Sequence, residues 1–430
     1  MNSDGLKFVL QESGQRPLPT SRTRDVVLAT DTNKVLGLTG VRRCGKTFLF
    51  FDTIHRLLAR GVNRHQIIYL NFEDDRLQPV AAAELDLVLR CQRELFEPAR
   101  TGRLYLFLDE VQSAPGWERW VRRLHDTEDI SIFVTGSSSD LLTRELSSAL
   151  RGRSVTLEVL PLSFREYLAF RGIELQQHDA HSESVARAAL EQYLQWGGFP
   201  EVVLATPAMR PLILEEYASL MFWRDLVERH SIRNEPVMRS LLRHCFRNTA
   251  SLVNLSKLHR DLQSQGLDIG RNTLFEYFAI LQDSGLVFLL PIHDGSVRRQ
   301  ARNPRKLHVI DPGLVAAFKA RSELDVGHKL ETAVFLQGRR RWREWHYWLG
   351  EAEVDLCDAE GRTFVNSCWN LGTQETIERE IRAMAAGRQL LPLAEGVLVY
   401  HEELHGAGRQ IPGACPAWKW LLEQSVRGAQ

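Results

Sequence analysis

Residues Gly40-Val41-Arg42-Arg43-Cys44-Gly45-Lys46-Thr47 set two glycines, a lysine and a hydroxyl at the spacing G-x-x-x-x-G-K-[ST]. Glycines at those positions let backbone N–H groups turn toward a phosphate chain, at the start of a helix whose dipole already favours negative charge. Lys46 is expected to neutralise the β- and γ-phosphates, and Thr47 to offer its hydroxyl to Mg²⁺. The binding loop is read from Gly40 to Phe48, with ATP and Mg²⁺ as the cofactors. Cys44 has two readings: a thiol whose pKa falls beside Lys46 and the helix start, or a small residue that fits the loop. Further on, the apolar run Leu104–Leu108 ends in Asp109 and Glu110. Asp109 is expected to hold the metal's shell and Glu110 to polarise the attacking water. Arg151 and Arg153 bracket Gly152 just before another apolar run, a position suited to an arginine that contacts the γ-phosphate in its own subunit or a neighbour's.

These residues need strands and helices to bring them together. From Lys34 to about Leu160, the runs KVLGLTG, QIIYLNF, RLYLFLDE, ISIFVTG and SVTLEVL alternate with amphipathic stretches, which predicts an α/β fold with a mostly parallel sheet between helices. The glycine-rich loop follows one such strand and precedes the helical run FLFFDTIHRLL. A first domain is read over residues 1–162. Residues 163–245 read as helical, with a break at Gly197-Gly198-Phe199-Pro200 that a helix interior does not tolerate. Residues 246–325 read as helix, helix and two strands around a basic loop, the pattern of a winged helix. Residues 326–430 then alternate strands and helix.

Composition narrows the classes. Lys+Arg and Asp+Glu both total 54, so no global field draws the chain to nucleic acid or membrane, and any polyanion site must be local. Two basic clusters stand out: Arg298, Arg299, Arg302, Arg305 and Lys306, and Arg339, Arg340, Arg341 and Arg343. Either one is a solvated face or a phosphate contact. The six cysteines lack any C-x-x-C pair, which argues against a zinc ribbon or disulfide framework and for a reducing, cytoplasmic setting. No stretch approaches the length of an apolar membrane span, and no membrane partner is expected.

Together, LTGVRRCGKT, LFLDEVQ, FVTGSSSDLL, LRGRSVTLEVLPLSFREYL and YLQWGGFPE resemble the AAA+ superfamily ATPases that carry a C-terminal domain of unknown function. NTLFEYFAILQDSGLV and KLHVIDPGL resemble that family's winged-helix segment. The resemblance implies an AAA+-like ATPase domain, a winged helix and a C-terminal fold related to PD-(D/E)XK nucleases. In such enzymes a polar residue on the strand between the loop strand and the Asp-Glu strand senses the γ-phosphate, which points to Ser137. A nuclease of that type needs two carboxylates and a lysine about Mg²⁺. Glu331 and Asp355 are the matching carboxylates, but Asn366 and Cys368 stand where the second-strand carboxylate and the lysine belong, so the site reads as degenerate.

The winged helix suggests DNA contacts through Arg271, Asn272 and Thr273 at the start of its second helix, and through Arg298, Arg299, Arg302 and Arg305 on its wing. A protein-binding winged helix, an ATP-regulated nuclease acting against foreign DNA, and a slow ATP-dependent signalling scaffold are the alternatives. A homo-oligomer is compatible with each.

Overall fold

The five apolar runs of the first third become β1 (Val35–Thr39), β2 (Ile67–Asn71), β3 (Leu104–Asp109), β4 (Ile130–Thr135) and β5 (Ser154–Glu158) of one all-parallel sheet, ordered β2-β3-β4-β1-β5. The computed structural model describes residues 2–136, 146, 148–176, 179–267, 269–318, 326–342, 344–403, 406, 408 and 411–423. Every residue of β1, β3 and β4 is buried, as it must be in a parallel sheet covered on both faces. Phe107 stacks on Phe133 with centroids 4.5 Å apart, and Phe50 meets Phe107 edge-on. Phe50 lies on α2 (Lys46–Ala59), which fixes that helix against the sheet; α1 (Ser3–Gln15), α3 (Leu87–Leu95) and α4 (Trp117–Thr127) complete the layers. Each such fully buried aromatic contributes roughly 1.5–3 kcal/mol. The registers Leu38↔Thr135, Asn71↔Asp109 and Thr39↔Glu158 align the C-terminal strand ends along one sheet edge.

The chain divides into two compact units, residues 1–159 and residues 160–427. In the second unit, α5 (Phe164–Arg171) opens on a capping box in which Ser163 and Glu166 bond each other's backbone N–H. Helices α6 (Ala180–Trp196), α7 (Arg210–Leu220) and α8 (Glu235–Arg247) follow, with a π-helical stretch at Met221–Glu228. Next come β6 (Ser251–Val253), α9 (Leu255–Ser264), α10 (Arg271–Asp283), β7 (Val287–Leu290), α11 (Val297–Arg302) and β8 (Arg305–Val309). Their strands form an antiparallel sheet ordered β6-β8-β7.

The last part is α12 (Val326–Arg341), β9 (Trp345–Leu349), β10 (Glu353–Asp358), β11 (Thr363–Leu371), α13 (Gln374–Leu390), β12 (Glu395–Glu403) and β13 (Ala414–Pro416). These strands form a mixed sheet ordered β13-β12-β11-β10-β9. Val354, Phe364, Leu398 and Met384 pack in its core. The hairpin leading out of β7 joins this sheet's edge, since His293 N–H donates to the Tyr347 carbonyl at 2.6 Å and Tyr347 N–H to the Pro291 carbonyl at 3.1 Å.

The first basic cluster is split between an exposed helix and a buried lysine, and the second packs against its neighbours. Arg298, Arg299 and Arg302 sit on the short helix α11 rather than on an open wing, and Lys306 is 1% exposed. Arg339 lies over the Phe288 ring, Arg340 donates to the Leu336 carbonyl, and Arg341 pairs with Glu423 at 2.6 Å. The guanidinium groups close the end of α12 against its neighbours; Arg343 lies outside the described residues.

Candidate nucleotide site and a second carboxylate cluster

Gly40 ends β1 with φ +147, and a Cβ there would lie 2.2 Å from the Val159 carbonyl oxygen. Gly45 has φ +103 and caps α2. Only glycine fits both positions easily, so the loop geometry itself requires the spacing seen in the sequence. Lys46, the first residue of α2, is buried and donates to the carbonyls of Gly40 at 2.8 Å and Val41 at 3.2 Å. Val41 and Cys44 are buried, Arg43 and Phe48 exposed, and Arg42 pairs with Glu73 at 3.3 Å. Burial pushes the Cys44 thiol up, against the opposing pull of Lys46 and Arg24, so the activated-thiol reading gives way to the small residue that fits.

Thr47 Oγ1 donates to Asp109 Oδ2 at 2.7 Å, which joins the loop helix to the end of β3. Asp109 is buried and accepts two further hydroxyls, from Tyr69 at 3.1 Å and from Thr135. Burial raises its pKa, and the Thr135 and Thr47 hydroxyls and Lys46 oppose the rise. Glu110 adopts φ +52, a left-handed conformation unusual for a residue with a Cβ. Its N–H donates to Thr135 Oγ1 at 3.0 Å, and its carboxylate accepts from Gln112 Nε2 at 2.5 Å. The glycine cradle, the lysine and the paired Thr47 and Asp109 fit a phosphate chain with its magnesium ion.

Three groups in this site were not singled out in the sequence. Thr135, fully buried at the tip of β4, bridges Asp109 and the Glu110 backbone. The strand order puts β4 between β3 and β1, so a polar residue ending ISIFVTG was the available signal. Tyr69 on β2 and Arg24, whose guanidinium donates to the Cys44 carbonyl at 2.9 Å, carry none in the linear sequence. Ser137 lies outside the described residues. Arg153 is expected from the sequence to contact the γ-phosphate in its own subunit or a neighbour's. Its carbonyl accepts from Val35 N–H at the start of β1, the sheet end opposite the loop, and its guanidinium pairs with Asp126 at 3.1 Å. A contact with phosphates held by its own chain is therefore excluded.

In the second unit, Arg271, Arg302 and Arg305 line one groove of about 450 Å³ together with Phe275. Arg271 also donates to Ser256 at 3.0 Å; Asn272, Arg298 and Arg299 are exposed and Thr273 half-buried. Elsewhere, Glu331 and Asp355 lie around Lys306 Nζ, at 2.6 and 2.9 Å, with Glu353 at 2.9 Å. Asn366 spends its amide on the neighbouring strand, accepting from Asp355 N–H and donating to the Glu353 carbonyl. Burial pushes the Cys368 thiol up to about 11. Read in sequence as part of a basic run, Lys306 was missed because linear charge does not reveal burial.

Residues 32–168 match the family described as AAA domain, and residues 187–325 match a domain of unknown function, DUF8612. Its first unit thus carries an AAA domain, with the parallel sheet and loop of a P-loop ATPase fold. The chain belongs to the family of the uncharacterized protein MJ1544 of Methanocaldococcus jannaschii, to which it is 32% identical over 418 residues, covering 93% of this chain and 90% of the relative. An uncharacterized protein of Haemophilus influenzae is 28% identical over 311 residues, 72% of this chain and 76% of that one. Among solved structures, the chain is similar to the Walker-type ATPase PABY2304 of Pyrococcus abyssi, at 15% identity and TM-score 0.42 over 74% of this chain and 95% of that one. Among the described residues, no helix is long and apolar enough to cross a membrane.

Proposed function

We propose that the chain binds and hydrolyses Mg-ATP, and that the nucleotide state drives a conformational switch acting on DNA or on a DNA-bound partner. The observation that carries the first part is the Thr47–Asp109 hydrogen bond of 2.7 Å, formed where Lys46 and the glycine cradle converge. Bound magnesium would offset phosphate charge. Thr47 and Asp109 would hold the ion, Lys46 would hold the β- and γ-phosphates, and Glu110 would orient and deprotonate water. Thr135 would keep Asp109 and Glu110 aligned.

The DNA part rests on the order of elements from α8 to β8, which supports a winged helix, and on the groove shared by Arg271, Arg302 and Arg305. In this reading residues 246–325 form the winged helix, between a helical region at 163–245 and a C-terminal module at 326–430. Two substitutions test the nucleotide assignment. Lys46→Ala should lose ATP affinity, while Glu110→Gln should keep affinity and lose turnover. Equal loss of affinity in both, measured by titration with a fluorescent ATP analogue, would refute the role given to Glu110.

A further inference from the structure

A PD-(D/E)XK-like centre implies a divalent metal among Glu331, Asp355 and a second-strand carboxylate. The residues present do not fit one. Magnesium demands near-octahedral oxygen ligation at about 2.0–2.1 Å, with carboxylates free to turn toward it. Here the Lys306 ammonium, 1% exposed, lies 2.6 Å from Glu331 Oε1, 2.9 Å from Glu353 Oε1 and 2.9 Å from Asp355 Oδ1. The ammonium donates hydrogen bonds to Glu353 Oε1 and Asp355 Oδ1, and Glu331 Oε1 completes the ring of charge as an ion pair. The other Asp355 oxygen accepts from Ser367 N–H at 2.8 Å and from its hydroxyl at 3.3 Å. Asn366 donates an N–H toward the Glu353 carbonyl, a bond that a carboxylate at that position would not make. A dication placed among the same oxygens would face the ammonium at a few ångströms, where like charges repel strongly.

We propose that Lys306 is the resident cation of this cluster, taking the place of a divalent metal and clasping the hairpin sheet to the C-terminal sheet. The clasp joins three elements by one side chain: Lys306 comes from β8, Glu331 from α12, and Glu353 and Asp355 from β10. Three carboxylate oxygens within 3 Å of one ammonium are the pairing that a buried positive charge requires. His308, two residues along β8, stacks on Phe335 of α12 with centroids 4.4 Å apart, a second contact between the same two elements. The cleft beside the cluster, about 500 Å³, is lined also by Glu351, Arg379, Glu380 and Arg382. Arg379 is paired with Glu380 at 2.7 Å, so its guanidinium cannot replace Lys306 without breaking that pair.

The test titrates full-length, nucleotide-free protein with Mn²⁺ alone, following bound metal by electron paramagnetic resonance and thermal stability in parallel. Wild type should show no Mn²⁺ bound in an Asp355-dependent manner and no metal-induced rise in Tm. Lys306→Met should melt lower, recover on adding Mn²⁺, and gain a single Mn²⁺ site that Asp355→Asn in the same background removes. Should Lys306→Met fail to fold, Lys306→Met with Glu353→Gln, which removes one of the mutually repelling charges, carries the same comparison. A stoichiometric Mn²⁺ site in wild type that Asp355→Asn abolishes would overturn the proposal. So would a folded Lys306 variant that gains no site.

Discussion

Asp109 receives hydroxyl hydrogen bonds from three elements, Thr47 of α2, Tyr69 of β2 and Thr135 of β4. Such a carboxylate has little freedom to rotate, which suits a group that must keep a metal shell in register. Thr135 also accepts from the Glu110 N–H and so holds the backbone that aims the proposed base. Thr135→Val keeps the shape and removes both bonds. The expected outcome is a fall in kcat of roughly 10–100-fold, the usual range for outer-shell partners, with ATP affinity largely kept. An unchanged kcat would mean that Thr135 is packing only. At this scale the loop from Gly40 to Thr47 was legible because its chemistry is contiguous. Thr135, Tyr69 and Arg24 were harder to see because strand order, not sequence distance, brings them to the site.

Elements meet through their ends, and the second unit shows how. Gly197 and Gly198 break the chain after α6, and Asp311 fills the space a side chain there would need, since a Cβ on Gly197 would lie 1.8 Å from its carboxylate. Asp311 accepts from Gly198 N–H at 2.7 Å and Gly313 N–H at 2.8 Å, so the WGGFP and IDPGL segments of the sequence lock together. Burial pushes the Asp311 carboxyl up to about 7, although the backbone N–H groups and Lys329 oppose the rise. A carboxyl raised on folding takes up a proton between its ordinary value and about 7. Its contribution to stability is complete at low pH and is lost as pH rises through about 7. Asp311→Asn should lower stability by roughly 1–3 kcal/mol through poorer acceptors for the buried N–H groups. It should also remove the downward slope of stability between about pH 4 and 7 that the carboxyl adds. Urea midpoints across that range check both outcomes; an identical slope in the mutant would contradict the assignment. The two motifs were visible in the sequence, but their pairing was not, because more than a hundred residues separate them.

For the whole molecule, balanced charge means that any grip on DNA must come from local clusters, and Arg271, Arg302 and Arg305 share a groove while Arg298 and Arg299 are exposed beside it. Binding through phosphates should weaken steeply with salt, and neutralising Arg298, Arg299, Arg302 and Arg305 should flatten that slope by about one unit for each phosphate left without its arginine. Unchanged DNA binding in the four-fold variant, or none in wild type, would favour a protein-binding winged helix. The α/β class and the parallel sheet followed from apolar runs that the structure places as its five strands. Helix α11 and the buried Lys306 were masked by the same basic composition that suggested an open wing. The central claim is ATP hydrolysis at the β1–α2 loop, and phosphate release by the full chain measures it most directly, with Mg-ATP alone and with single-stranded, double-stranded and branched DNA. The account predicts magnesium-dependent turnover that Glu110→Gln abolishes and that at least one DNA form accelerates. Turnover that survives Glu110→Gln, or its absence from the wild-type protein with every form of DNA, would contradict it.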